Sequence, residues 1–190
     1  MNITPRWHCV AWLLVLSLLA NRWPGALQAL AWQREAIADG QWGRILTAHL
    51  AHLDTRHLIS NLLGLVLIAE LLLEGWRLRD LLSLLLASAL GTSLLLWIGE
   101  PGLRWYAGLS GLLHGLWAGA ALLGWLRQRN QLAAIALAAL ALKLLLLDPT
   151  SGPTSGPTPV VGVAHGYGTL SGILWALVRT ATFHPTRQFD

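Results

Sequence analysis

A serine, two histidines and an asparagine are the residues of this sequence whose types and settings could carry out chemistry. Ser110 opens one long apolar stretch, His165 lies near the start of another, and His57 and Asn61 lie four residues apart at the start of a third. A serine hydroxyl becomes a nucleophile when an imidazole accepts its proton. Residues four apart share a helix face, so His57 and Asn61 can both donate hydrogen bonds to a developing negative charge.

The same residues have structural explanations that the sequence alone leaves open. Ser110 would cap the helix that follows it, and His57 with Asn61 would join two helices by hydrogen bonds. A zinc site would need His49, His52 and His57, but these straddle a loop and a helix start and contain no HExxH motif. We therefore expect neither a metal nor a cofactor.

Glycines recur every four residues in two of the apolar stretches. They are Gly111, Gly115 and Gly119 in one stretch, and Gly168 and Gly172 in the other. Such stripes let the backbones of two helices approach closely. If the stripes face each other, His165 lies one turn before Gly168 and comes level with Ser110. This spacing predicts a contact between the serine and the histidine inside a helical bundle.

The composition is that of a membrane protein. The chain has 190 residues, of which 55% are apolar and 12% charged, with a mean hydropathy of +0.55, whereas soluble domains carry roughly 25% charged residues. Its single cysteine, Cys9, excludes an intrachain disulfide. The net charge of +4 is spread over scattered basic residues and short basic pairs between apolar runs. This distribution favours basic inner loops over a nucleic-acid surface.

Six apolar stretches are candidates for membrane-spanning helices, which need roughly 20 residues each. They are 7–21, 57–74, 81–98, 110–126, 132–147 and 160–178, with a long external loop over 22–56. The first stretch is alternatively a signal peptide, because Arg6 precedes it and Ala29-Leu30-Ala31 resembles a cleavage site. We expect one all-α membrane domain, a six-transmembrane helix bundle over residues 1–190.

Basic residues in the short loops predict the orientation of these stretches. Those expected on the cytoplasmic side are Arg6, Arg77, Arg79, Arg127, Arg129, Arg179 and Arg187, which places both termini there. The external loop contains Trp23, Trp32 and Trp42, whose rings suit the membrane–water interface. Segment 148–159 contains a tandem SGPT repeat and is expected to be a flexible external spacer.

Three motifs together resemble those of the rhomboid family of intramembrane serine proteases. They are HxxxN at His57 and Asn61, GxSG at Gly108–Gly111, and AHxxGxxxG at 164–172. The resemblance covers about residues 7–180 and implies a six-helix rhomboid fold with a Ser110–His165 dyad. It also implies that the backbone N–H groups of Leu109 and Ser110 hold the oxyanion with help from His57 and Asn61. The supporting residues it implies are Gly108, Gly111, His114, Gly168 and Gly172.

His114 departs from the common rhomboid pattern, in which a tyrosine four residues after the serine packs on the catalytic histidine. The sequence GLSGxLHG around His114 resembles the rhombosortase subgroup. That resemblance implies a multi-pass protein of a bacterial inner membrane whose active site opens to the periplasm. It implies as substrates exported transmembrane proteins with a Gly-rich C-terminal GlyGly-CTERM tail. His114 would then be the stacking partner of His165.

Other residues resemble supporting features of the family. Arg44 resembles its loop arginine, His52 a histidine that orders the loop, and Glu74 the acidic residue at the inner end of the second span. The fifth span and segment 148–159 resemble a lateral gate and its cap. The main alternative is a catalytically inactive rhomboid-like adaptor, although such proteins lack the serine or the histidine. A transporter is disfavoured because the chain shows no internal repeat.

Overall fold

The computed structural model describes residues 4–146 and 162–182, so segment 148–159 and Arg187 lie outside the described residues. In chain order the elements are α1 (Pro5–Arg22), α2 (Ala26–Leu30), β1 (Trp32–Gln33), α3 (Arg34–Ala38), α4 (Arg44–Thr47), α5 (Thr55–Leu72), α6 (Leu78–Gly99), β2 (Trp105–Tyr106), α7 (Ser110–Gln128), α8 (Gln131–Leu146) and α9 (Gly162–Ala181). Six of these helices are long. Each coincides with one of the six predicted apolar stretches to within a few residues.

Local side-chain chemistry fixes where two of the long helices begin. The Asp54 side chain accepts a hydrogen bond from the His57 backbone N–H at 2.8 Å and thereby caps α5. Arg129 adopts a left-handed conformation after α7, and Asn130 then accepts the Leu132 N–H at 2.9 Å. Such caps satisfy backbone groups that a helix end leaves without partners. Because only two residues join α7 to α8, these helices pack as neighbours.

Helix α7 lies at the centre of the bundle and packs against α5, α6, α8 and α9, most extensively against α9. A side-chain Cβ built on Gly168 would lie 1.9 Å from the Gly111 carbonyl oxygen, and one on Gly172 would lie 2.0 Å from the Gly115 carbonyl oxygen. No Cβ fits at such distances, so only glycine permits this approach of the two backbones. The prediction that the two glycine stripes face each other is therefore confirmed.

The loop 22–56 holds more regular structure than the sequence indicated. Strand β1 pairs antiparallel with β2, with Trp32 opposite Tyr106, and three short helices surround it. Trp32 is fully buried, so its predicted interfacial position is wrong, whereas Trp23 and Trp42 are exposed. The reason is a tertiary partner, since the Trp32 ring packs edge-on against Trp97 of α6 at 5.9 Å between centroids.

Arg34 attaches this loop to the end of α6. Its guanidinium donates to the carbonyl oxygens of Leu96, Trp97 and Glu100 at 2.9–3.2 Å. The last carbonyls of a helix have no intrahelical partner and carry partial negative charge, which makes them good acceptors for a cation. The same guanidinium lies 4.5 Å from the centre of the Trp97 ring. Arg34 thus holds β1, and through it β2, in a fixed position beside the bundle.

The described helices differ in how clearly they could cross a bilayer. Helices α5 and α6 are long and apolar enough to do so by length and composition, and α8 is apolar but has 16 residues. Helix α7 contains Gly111, His114 and Gly115, which are buried within the protein. These residues lower its average hydropathy although they do not face outward. The fold is therefore mostly helical, with two clear apolar spans among the described helices.

The α7–α9 contact predicts the effect of a single added methyl group. Gly168→Ala places a carbon against the Gly111 carbonyl oxygen, so the helices must separate, at a cost of about 1–3 kcal/mol. Thermal unfolding of the purified protein should show a lower midpoint. Gly166→Ala on the same helix is the matched control, because a Cβ there meets nothing within 4 Å. Equal midpoints for the two variants would contradict the close packing.

Candidate active site

Ser110 begins α7 directly after a turn that only glycine adopts readily. Gly108 has φ of +132°, a backbone conformation that other residues rarely take. A Cβ at Gly108 would also lie 2.6 Å from Cε1 of His57. The glycine therefore has two roles, because it forms the turn that presents Ser110 and makes room for the His57 imidazole beside that turn.

Tyr106 stabilises this turn and is a residue that the sequence analysis missed. Its hydroxyl donates to the Gly108 carbonyl at 2.7 Å and accepts the Gly111 N–H at 3.3 Å. Burial raises the pKa of Tyr106, so the hydroxyl keeps the proton that it donates. The pairing of β2 with β1 fixes the position of the ring. Nothing in the residues around GxSG indicates these contacts.

The imidazoles of His114 and His165 stack within the bundle. Their ring centroids lie 4.1 Å apart with an angle of 12° between planes, and each residue is about 6% exposed. Nδ1 of His114 lies 2.7 Å from the carbonyl oxygen of Ser110, one turn earlier on the same helix. Because a carbonyl only accepts, this nitrogen carries the proton. His114 therefore connects the start of α7 with the imidazole of α9.

Backbone N–H groups at the start of α7 lie next to Ser110 in the chain. The first N–H groups of a helix have no intrahelical acceptor. Tyr106 takes the N–H of Gly111. Within the described part of the chain, no other group accepts a hydrogen bond from the N–H of Leu109 or Ser110. These two donors are therefore available to an oxyanion beside the serine.

His57 and Asn61 line the same cavity as Ser110 and His165. Asn61 is 7% exposed, and its Nδ2 has no hydrogen-bond partner among the residues at 4–146 and 162–182. A buried amide donor without an acceptor costs about 1–3 kcal/mol. Because Asn61 lies on the cavity wall, a carbonyl group or a water bound in the cavity would accept this hydrogen bond.

The cavity has a volume of about 560 Å³ and lies between α5, α7 and α8. Its polar end is formed by His57, Asn61, Ser110 and His165. The rest of the wall is mostly apolar, formed by residues that include Leu67, Leu71, Leu113, Ile135 and Ala139. A groove of this kind accommodates an apolar segment of polypeptide with one peptide bond beside the serine.

Two loop histidines support the polar end from outside the helices. The His52 backbone N–H donates to Oδ1 of Asn21 at 2.9 Å, and its ring lies edge-on to His57 at 5.1 Å between centroids. Nε2 of His49 donates to the Ala89 carbonyl of α6 at 3.1 Å. Burial lowers the pKa of His49 and of His52 to about 4. Both rings are therefore neutral at pH 7, and Asn21 of α1 is a second supporting residue that the sequence analysis missed.

Two other residues lie away from the cavity. Arg44 donates to the carbonyl oxygens of Gln28 and Ala31 at 2.8–2.9 Å and so stabilises the loop 22–56. Glu74 lies just beyond the other end of α5, in a polar pocket. Neither residue lines the wall around Ser110.

The lowered histidine pKa values predict that the protein loses stability in mild acid. Unfolded histidine titrates near 6.5, so the unfolded state binds more protons than the folded state between about pH 6.5 and pH 4. The loss on moving from pH 7 to pH 5 should be about 2 kcal/mol for each ring. The measurement is the thermal midpoint across this range.

His52→Gln should flatten this pH dependence, and His8→Gln, an exposed change on α1, should leave it as in the wild type. An equal midpoint at pH 7 and pH 5 in the unsubstituted protein would show that these rings are not held neutral.

Comparison with known proteins identifies the family of the chain. No curated protein matches the chain. The rhomboid domain family matches residues 39–182, a range that includes Ser110, His165, His57 and Asn61. The match covers more than half of the sequence, and rhomboid proteins are in general intramembrane serine proteases. The chain belongs to the rhomboid family.

Proposed function

We propose that this protein is an intramembrane serine endopeptidase with Ser110 as nucleophile and His165 as general base. The observation that carries the proposal is the shared cavity, in which both side chains lie at the polar end of a mostly apolar groove. His114 touches both residues, through the Ser110 carbonyl and through the stack on His165. An inactive relative would lack the serine or the histidine, and this chain retains both.

The reaction begins when Oγ of Ser110 attacks the scissile carbonyl carbon and His165 accepts the hydroxyl proton. The C–N bond of the tetrahedral intermediate then breaks, and His165 returns the proton to the leaving amine. Water attacks the resulting acyl-enzyme, with His165 again accepting a proton. The Ser110 ester bond breaks, the serine regains its proton, and the carboxylate product leaves.

Negative charge on the intermediate is stabilised by four donors. The backbone N–H groups of Leu109 and Ser110 lie at the positive end of α7, and the side chains of His57 and Asn61 approach from α5. Asn61 already has an amide donor without an acceptor in the described structure. Removing one donor of this kind typically lowers the rate by about 10²–10³.

The orientation of His165 depends on ring stacking. Among the described residues, no carboxylate lines the cavity, so a third acidic member of a triad is absent from its wall. The parallel His114 ring at 4.1 Å restricts rotation of the His165 ring instead. We therefore propose a dyad in which His114 is a positioning residue.

We further propose that all six long helices cross the bilayer of a bacterial inner membrane. Their lengths of 16–22 residues correspond to about 24–33 Å at 1.5 Å per residue, close to a hydrocarbon core of about 30 Å. Arg77, Arg79, Arg127 and Arg179 line one pocket at the end of α7 remote from Ser110. The positive-inside rule places that end in the cytoplasm, so the active site opens to the periplasm.

The proposed substrates are exported proteins with a Gly-rich, GlyGly-CTERM transmembrane tail. The apolar groove between α5 and α8 offers lateral entry from the bilayer, since both helices pack on α7 with the groove between them. A peptide bond must leave helical structure before Ser110 reaches it, and glycine lowers helix stability by up to about 1 kcal/mol relative to alanine. Segment 148–159, the proposed cap, lies outside the described residues.

Co-expression with a GlyGly-CTERM protein tests the dyad and the substrate class together. Wild-type protein should convert the anchored substrate to a shortened, released form. Ser110→Ala and His165→Ala should each lower conversion to below about a thousandth of wild type, since the two groups act as one unit. Ser60→Ala, on the wall of the same groove, is the matched control and should retain conversion.

Two results would separate the two parts of the proposal. Conversion by the Ser110→Ala variant at the wild-type rate would refute the nucleophile. Cleavage of a rhomboid substrate without the Gly-rich tail, with the tailed protein left intact, would refute the substrate class and leave the protease in place.

A further inference from the structure

A second pocket, of about 520 Å³, lies at the end of α7 opposite to Ser110 and is mostly polar. Four arginines and two carboxylates line it, namely Arg77, Arg79, Arg127, Arg179, Glu74 and Asp80. They come from the α5–α6 connection and from α6, α7 and α9. The described side chains that line this pocket therefore carry four positive and two negative charges, an excess of two positive charges.

The arginines are held close together. Arg179 forms an ion pair with Asp80, and Arg127 donates to the Arg179 backbone carbonyl at 2.6 Å. Nε of Arg79 lies 3.8 Å from the same Asp80 carboxylate. The Asp80 carboxylate therefore lies close to the guanidinium groups of both Arg179 and Arg79. Nε of Arg179 is buried and has no acceptor among the described residues, so a donor remains for an incoming oxyanion.

This pocket borders the apolar groove that leads to Ser110. Leu71, Leu72 and Leu132 line both of them. The two adjacent surfaces therefore match a ligand with an anionic head and an apolar chain. Its head would lie among the arginines, and the start of its chain would lie against the three leucines. At the inner membrane surface, the molecules with this form are anionic phospholipids.

Topology alone does not account for this arrangement. The positive-inside rule requires cations in inner loops, but it does not require them to converge on one concavity. Arg129 illustrates the difference, because it lies two residues after Arg127, stacks on Trp125 at 5.2 Å and does not line the pocket.

We propose that this pocket binds the phosphate headgroup of an anionic phospholipid of the cytoplasmic leaflet, with an acyl chain entering the inner end of the groove. This proposal depends on the membrane orientation given under Proposed function. It adds a lipid site that is separate from the catalytic residues and borders the path of the substrate.

The test is native mass spectrometry of the purified full-length protein in detergent with added phosphatidylglycerol or phosphatidylcholine. We expect retention of phosphatidylglycerol and not of phosphatidylcholine. Arg127→Gln should weaken retention about fivefold, which corresponds to the loss of one cation near the headgroup. Arg129→Gln is the matched control and should retain the lipid as the wild type does. Arg77→Gln, an exposed change in the α5–α6 connection, gives an independent test if Arg127→Gln does not fold.

Equal retention of the two lipids, or equal loss in the Arg127 and Arg129 variants, would overturn the proposal. Complete displacement of phosphatidylglycerol by inorganic phosphate at equal concentration would also overturn it, since the site would then bind a free anion as well as it binds the lipid. Tail cleavage measured in the same preparations separates this proposal from the proposed function. Selective lipid retention without cleavage supports the lipid site alone, and cleavage without selective retention refutes that site alone.

Discussion

The structure depends on the close approach of two helix backbones. Gly168 and Gly172 of α9 lie directly on the carbonyl oxygens of Gly111 and Gly115 of α7, at distances that no side chain allows. Ser110 directly precedes the first of these contacts on α7, and His165 lies one turn before it on α9. The packing that brings the helices together thereby sets the positions of Ser110 and His165 along the bundle. The geometry of the candidate site is a consequence of backbone packing in the centre of the bundle.

Much of the fold could be predicted because hydropathy and charge act locally along the chain. Apolar stretches bounded by arginines located the six long helices to within a few residues. The structure of the loop 22–56 could not be predicted in the same way. Trp32 is buried and Arg34 is bound because both meet the end of α6, more than 60 residues later in the sequence. Partners of this kind depend on the tertiary arrangement and leave no periodic signal.

Some residues of the candidate site could likewise be predicted from the sequence, and others depend on tertiary contacts. Ser110, His165, His57 and Asn61 were identifiable because polar side chains in apolar stretches are costly and need a reason. Tyr106 was missed, since its hydroxyl acts on the turn at Gly108 only after β2 pairs with β1. The arginines at the end of α7 remote from Ser110 were interpreted only as signals of orientation. Their convergence on one pocket became visible when four separate elements were brought together.

The most direct test of the central claim is covalent labelling by a fluorophosphonate, with the modified residue identified by peptide mass spectrometry. The probe reacts with a serine whose hydroxyl is activated by a neighbouring base. We expect one adduct, on Ser110, that is lost in His165→Ala and retained in Ser60→Ala. An adduct on another serine, or labelling of Ser110 at an unchanged rate in His165→Ala, would contradict it.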